Sequence, residues 1–214
     1  MATVGEVKDN TLLYTGVGAA AGAAAGGASG YYYLAKALKD NAATDSFVRY
    51  VADNAKDGVK TALDNASKVK PELTAYLEGL KDSAKTVVPT AAEELKTFRE
   101  GIITTLKGHG LEGDVIKKGV EGITNTETLK AFSENATKLA TSNAQKSTIT
   151  GLFKDGKIVV EGLDGEKKTL AEGVQKLLGG FKKSAALKWA AIGAVALGIA
   201  SYILSPKRSN KDAA

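Results

Sequence analysis

The chain has 214 residues, enough for one ordinary domain with appendages. It contains no Cys, which excludes disulfides, thiol catalysis and Cys-ligated zinc or iron–sulfur sites and leaves the redox compartment open. Its net charge of +5, from 29 basic and 24 acidic residues, is mild. The lysines are spread along the chain, without the basic patch and stacking aromatics that nucleic-acid binding uses.

Met1–Asn10 carries Glu6, Lys8 and Asp9 and lacks the positive start of a secretory signal, so residues 1–11 read as a short N-terminal tail. Thr11–Ala35 then contains no charge and no proline. Gly18, Gly22, Gly26 and Gly30 recur every four residues and so share one helix face, bare of side chains. In water, each such glycine penalises a helix by about 1 kcal/mol relative to Ala. In a bilayer the backbone has no partner outside the helix, and small residues let two helix backbones approach. Tyr14 and Tyr31 bracket the glycines at about 25 Å along the axis, near the thickness of a hydrocarbon core. A flexible Gly/Ala linker has a similar composition, but it needs neither the fixed period nor the flanking aromatics. Residues 12–35 are therefore expected to form a transmembrane helix with a glycine packing face.

Residues 36–183 read as a water-facing helical domain. After Thr44, a helix cap, Phe47, Val51, Ala55, Val59, Ala62, Ala66 and Val69 recur at spacings of three and four, the mark of one amphipathic helix. Pro71 stops it and opens the next helix, which runs towards Pro89. Thr90 with Glu93, and Thr124 with Glu127, have capping-box spacing. A short helix is expected at Asp114–Gly122, and the helix after Thr124 is expected to end near Ala144. Two β-prone runs flanking Asp155-Gly156 predict a hairpin at about 148–163, with a third strand near Glu166–Lys168 after Asp164-Gly165. Thr169 and Glu172 then start a helix that Gly179-Gly180 ends.

Residues 184–205 form the second expected membrane helix. From Trp189 to Pro206 there is no charge. Lys188 can snorkel to the interface, Trp189 and Tyr202 stand near the two ends, and Lys207 and Arg208 follow in a basic tail, 206–214. Ala190, Ala194 and Gly198 offer a second small-residue face. The expected fold is thus mainly α, with two transmembrane helices flanking an amphipathic helical domain that carries one small β-hairpin.

Catalytic and metal chemistry find little here. His109 is the only histidine, and with no Cys beside it a metal site would need an unusual all-carboxylate complement. Neither a nucleophile elbow nor a phosphate loop is present. Glu-Gly and Lys-Gly pairs, among them Glu78-Gly79, Lys118-Gly119 and Glu172-Gly173, sit within helical patterns and imply either close packing or looseness. No cofactor and no small-molecule substrate are expected. The partners are the lipid bilayer and, through the small-residue faces, a second copy or another membrane protein.

These readings describe a non-enzymatic integral membrane protein with a structural, scaffolding or tethering role through helix–helix association. An oligomeric pore and a peripheral lipid-coating protein are the alternatives. A fragment covering residues 36–183 is expected to fold alone, with a helical far-UV spectrum. Its stability should be low for its size, because its apolar stripes are largely Ala and Val and each buries modest area.

Overall fold

The computed structural model describes residues 11–82 and 86–204. Among these residues the chain forms eight helices and one two-stranded antiparallel sheet, so the mainly helical class with a single small hairpin holds. The helices are α1 (Thr11–Asn41), α2 (Asp45–Asn54), α3 (Asp57–Ala66), α4 (Pro71–Lys81), α5 (Ala92–Gly108), α6 (Asp114–Glu121), α7 (Thr126–Thr150) and α8 (Gly165–Leu204). Strands β1 (Phe153–Lys154) and β2 (Lys157–Ile158) make the hairpin.

Of the two apolar stretches, only α8 is long and apolar enough to cross a membrane by length and composition among the described residues. By that measure the structure supports one spanning candidate among the described residues, where two were expected to flank the domain. The α1 stretch is dominated by Ala and Gly, whose hydropathy is too weak to meet the same measure.

Two cores build the rest. One gathers α4 to α7 around Leu77, Leu106, Val120, Ile123 and Leu129. Here Ser133 Oγ donates to the Leu77 carbonyl at 2.5 Å, satisfying a buried hydroxyl. Arg99 donates twice to the Ile123 carbonyl and thereby ties the α6–α7 turn to α5. The other core joins the end of α1, α2, α3, the hairpin, the end of α7 and the start of α8. Phe47 is its centre, with ring centroids 6.2 Å from Phe153 and 5.3 Å from Phe181. The α7 helix belongs to both cores, through Leu129–Ala140 in the first and Ile149 in the second.

Local departures from the expected elements have identifiable causes. The long helix expected after Thr44 divides at Ala55–Lys56, which are extended, and Asp57 has φ 40°. The break lets α2 and α3 pack separately along α8, with Val59 filling the space above Gly173. The next helix ends at Lys81, well before Pro89. Thr90 does not cap α5, whose N-cap is Ala91 without a side-chain bond. The second capping box forms one residue later than expected, between Asn125 and Thr128. The α7 helix continues past Ala144 to Thr150 and absorbs the start of the first β-prone run.

The turn itself is as expected. Asp155 and Gly156 have φ 52° and 74°, the two left-handed residues a tight hairpin requires. A Cβ on Gly156 would stand 3.2 Å from Lys39 Cα, so the glycine also lets the turn rest on α1. In place of a third strand, α8 begins at Gly165, where Asp164 Oδ1 accepts from the Lys167 N–H at 3.3 Å. Thr169 lies inside this helix and donates to the Gly165 carbonyl. Gly179-Gly180 does not end α8. Phe181 is held between Phe47 and Tyr50, and the Tyr50 hydroxyl occupies the place of a Gly180 side chain, so tertiary packing carries the helix through two poor helix formers. No helix break marks residues 36 or 183, since α1 and α8 run through both.

Phe47→Ala is expected to cost about 3–5 kcal/mol, because it opens a cavity where α2, the hairpin and α8 meet. Val87→Ala, at a position 81% exposed, should change stability by less than about 0.5 kcal/mol. Denaturant unfolding followed by far-UV circular dichroism checks both.

Candidate helix-packing and membrane interface

The most extensive contact in the molecule is that of α1 with α8. The two helices run antiparallel, since Gly22 lies against Gly193, Gly26 against Trp189 and Gly193, and Ala19 against Gly198. A Cβ on Gly22 would overlap the Gly193 carbonyl, and one on Gly193 would overlap the Gly22 carbonyl. A Cβ on Gly26 would fall on the Trp189 carbonyl and 3.2 Å from Gly193 Cα. The helices therefore meet backbone on backbone. Such contact is dispersion between closely apposed main chains, small per atom pair and large in sum.

The glycine positions differ in what covers them. At Gly30 the Trp189 side chain fills the space a side chain would occupy. Gly27, which the four-residue period omits, faces Ala190 and Ala186 at 3.4 and 3.5 Å. Ala194 is partly buried on the flank of α8. The surroundings of Gly18 and the side chains of Tyr14 and Tyr202 lie outside the described residues, as do Lys207 and Arg208.

Sequence reasoning missed Gly193 and the packing role of Trp189. The Ala190/Ala194/Gly198 row lies one residue from the Trp189/Gly193/Leu197 row, about 100° around the helix. The signal was present: Gly193 follows Trp189 by four residues and precedes Leu197 by four. Of the expected row, Ala190 and Gly198 also meet α1, at Gly27 and Ala19.

The opposite face of α8 is bare. Ile192, Val195, Ile199 and Ile203 are 58%, 62%, 56% and 66% exposed and form one stripe at spacings of three and four. Only 6% of the apolar stretch of α8 is buried within the structure. Aromatics and lysines lie where the stretch approaches the domain. Lys182 Nζ stands 5.8 Å from the Tyr31 ring centre, over its face. Tyr32 and Tyr33 meet edge to face at 5.8 Å, and both are exposed. Lys188 is exposed beside Trp189.

Elsewhere the structure offers little for chemistry. His109 caps the end of α5 with its ring 6.4 Å from that of Tyr76. Burial raises the pKa of the Tyr76 hydroxyl, and its hydrogen bond with Thr105 opposes that shift. Among the described residues no three His, Asp or Glu side chains cluster as metal ligands would. Surface grooves of about 430 and 440 Å³ lie between α6 and α7 and between α2, α3 and α8, and their walls are mainly apolar. Comparison with protein-family models, with curated proteins and with solved structures found no match.

A Cβ at position 198 would stand 3.6 Å from Ala19 Cβ, within the range of about 3.5–4.5 Å that a disulfide needs. Oxidation of Ala19→Cys/Gly198→Cys in this Cys-free chain should give an intramolecular crosslink. Adding Gly22→Leu/Gly26→Leu should abolish that crosslink while leaving the protein in the membrane fraction, because each new side chain holds the backbones apart. Non-reducing electrophoresis of membrane and soluble fractions reads both results.

Proposed function

We propose that this chain is an integral membrane protein in which α1 and α8 cross the bilayer side by side and hold a helical domain at one face. The observation that carries the reading is the exposed apolar stripe of α8. An isoleucine- and valine-rich face of this length, bare in water, forfeits the burial energy that holds soluble helices in place. In hydrocarbon it needs no cover. The α1 helix is too weakly apolar to argue for itself, and its support comes from α8. Extending the Gly22–Gly193 register sets Thr11 level with Leu204 and Tyr31 level with Ser184. Each helix then presents about 21 residues, or about 30 Å, matching a hydrocarbon core.

The proposed role is non-enzymatic: structural, scaffolding or tethering, through helix–helix association. The glycine face serves the pairing within one chain. Self-association, or contact with another membrane protein, would then use the outer faces. An oligomeric pore has less support, because helices packed backbone on backbone enclose no lumen. A peripheral lipid coat also has less, because the domain helices turn their apolar stripes into two cores. Lysine excess on the domain side of the helix pair favours a cytoplasmic domain.

Alkaline extraction should leave the protein in the membrane pellet, and release into the supernatant would refute anchoring. With sealed vesicles, protease on the domain side should remove residues 45–164 and spare both tails. Cleavage of the domain from the outside of intact cells would reverse the orientation.

A further inference from the structure

The two long helices have an uneven charge distribution where they enter the domain. The α1 helix has no acidic residue between Thr11 and Lys39, and α8 has none after Glu172. Within those limits lie Lys36 and Lys39 on α1 and Lys176, Lys182, Lys183 and Lys188 on α8. The whole chain has a net charge of only +5, so these lysines by themselves exceed it. All are exposed except Lys182, which is partly buried over the Tyr31 ring. None lies within ion-pair distance of a carboxylate among the described residues, whereas Lys81, Lys146 and Lys167 elsewhere each do. The nearest acids on the same helices, Asp40 and Glu172, lie on the domain side, and Asp45 at the start of α2 is engaged by Lys146 at 2.7 Å.

Their placement, unlike their sign, is not one-sided. At about 100° per residue, Lys183 and Lys188 stand on well-separated sides of α8, and Lys36 and Lys39 are carried on the neighbouring helix. The Lys182–Tyr31 contact ties the lysines of α8 to the aromatic end of α1. On the Gly22–Gly193 register, Lys183 and Lys182 stand level with the exposed Tyr32 and Tyr33, Lys188 lies about five residues further along beside Trp189, and Lys36 lies about three residues nearer the domain, so these four form a collar along about 14 Å of the pair. If the collar served only to keep the chain soluble or to stop the helices sliding, acids and bases would do equally well. An acid-free collar is complementary to one charge only.

We propose that this lysine collar binds the headgroups of anionic phospholipids, so that the helix pair gathers acidic lipid around itself in the leaflet facing the domain. The proposal rests on the membrane reading above. Phosphate and carboxylate oxygens of these headgroups lie at the depth the lysines reach, and the low dielectric beside the apolar face strengthens each contact. Aromatic rings at the same level hold the pair at a fixed depth and so keep the lysines in the headgroup layer.

Trp189 is the only tryptophan and follows Lys188 directly, so the full-length chain carries its own reporter. The protein is reconstituted in phosphatidylcholine vesicles containing phosphatidylglycerol, with bromine placed near the headgroup of one lipid or the other. Quenching is measured relative to unbrominated vesicles. The expected result is a preference of about fivefold for the anionic lipid around Trp189, the weight of roughly one lysine near an acidic surface. The preference should fall with added salt. It should vanish in Lys36→Gln/Lys182→Gln/Lys183→Gln/Lys188→Gln and survive in the matching Lys→Arg variant, which keeps the charge and checks that the substituted chain still folds. Inorganic phosphate at matched ionic strength should leave it intact, and displacement by phosphate would reassign the lysines to a soluble anion and overturn the proposal. Equal quenching by both lipids, or a preference that persists in the Gln variant, would overturn the collar and leave the membrane reading standing. Absence of quenching by either lipid would overturn both.

Discussion

The contact between the Gly22 and Gly193 backbones determines the arrangement of the rest. No pair of side-chain-bearing residues would allow the two helix axes so near each other, because any Cβ at either position overlaps the opposite carbonyl. Once those two residues meet, the antiparallel course of the helices fixes every neighbouring contact: Ala19 with Gly198, Gly26 with Trp189, Gly30 under the indole. The register in turn sets which residues share a level. It brings Tyr31 to Lys182, and it aligns the start of α1 with the end of α8. Glycine is a poor helix former in water, and its cost is offset here by close main-chain contact along much of both helices.

The same two helices continue into the domain without a break, and this joins the helix pair to the folded part. Leu38 on α1 and Leu170, Val174 and Leu178 on α8 are buried in the core that surrounds Phe47. Continuous helices transmit rotation and tilt directly, since neither helix has a hinge at the boundary. The hairpin rests its Asp155-Gly156 turn on Lys39, and α3 presses Val59 into the space above Gly173, so each long helix is braced where it runs through the domain. The other core, around Leu106 and Val120, is reached mainly along α7, so it stands further from the helix pair.

The Gly-containing pairs in the domain show how a single sequence feature divides by context. Gly173 is required because Val59 occupies the position of its side chain, and Gly119 faces Phe132 at 3.0 Å. Gly79 and Gly101 have nothing within 4 Å of where a side chain would be, so no packing reason accounts for them. The dipeptides read alike in sequence, and only their neighbours in space separate them.

What could be read from the chain alone follows from local rules. The four-residue glycine period, the apolar run after Trp189, the hairpin at Asp155-Gly156 and the helix at Asp114 each depend on residues close in sequence, so each was legible. The glycine face announced that something would pack closely, because four-residue spacing on a helix has no other geometric meaning. Its partner was legible only in part, since the Ala190/Ala194/Gly198 row lies one residue from the Trp189/Gly193/Leu197 row, and the closest contact, at Gly193, is flanked by large side chains that sequence alone does not read as a packing face. Helix ends were lost for a similar reason. Gly179-Gly180 has the local propensity to stop a helix, and Phe181, held by Phe47 and Tyr50 from a distant part of the chain, carries the helix through it. Thr90 has the spacing of a cap and makes none, while Asn125 and Thr128 form one that Thr124 and Glu127 had seemed to promise. Sequence by itself determined the composition of each face and the charge at each end. Which face meets which, and where a helix stops, were decided by contacts between residues far apart in the chain, because a few kcal/mol of tertiary packing outweighs local preferences of about 1 kcal/mol.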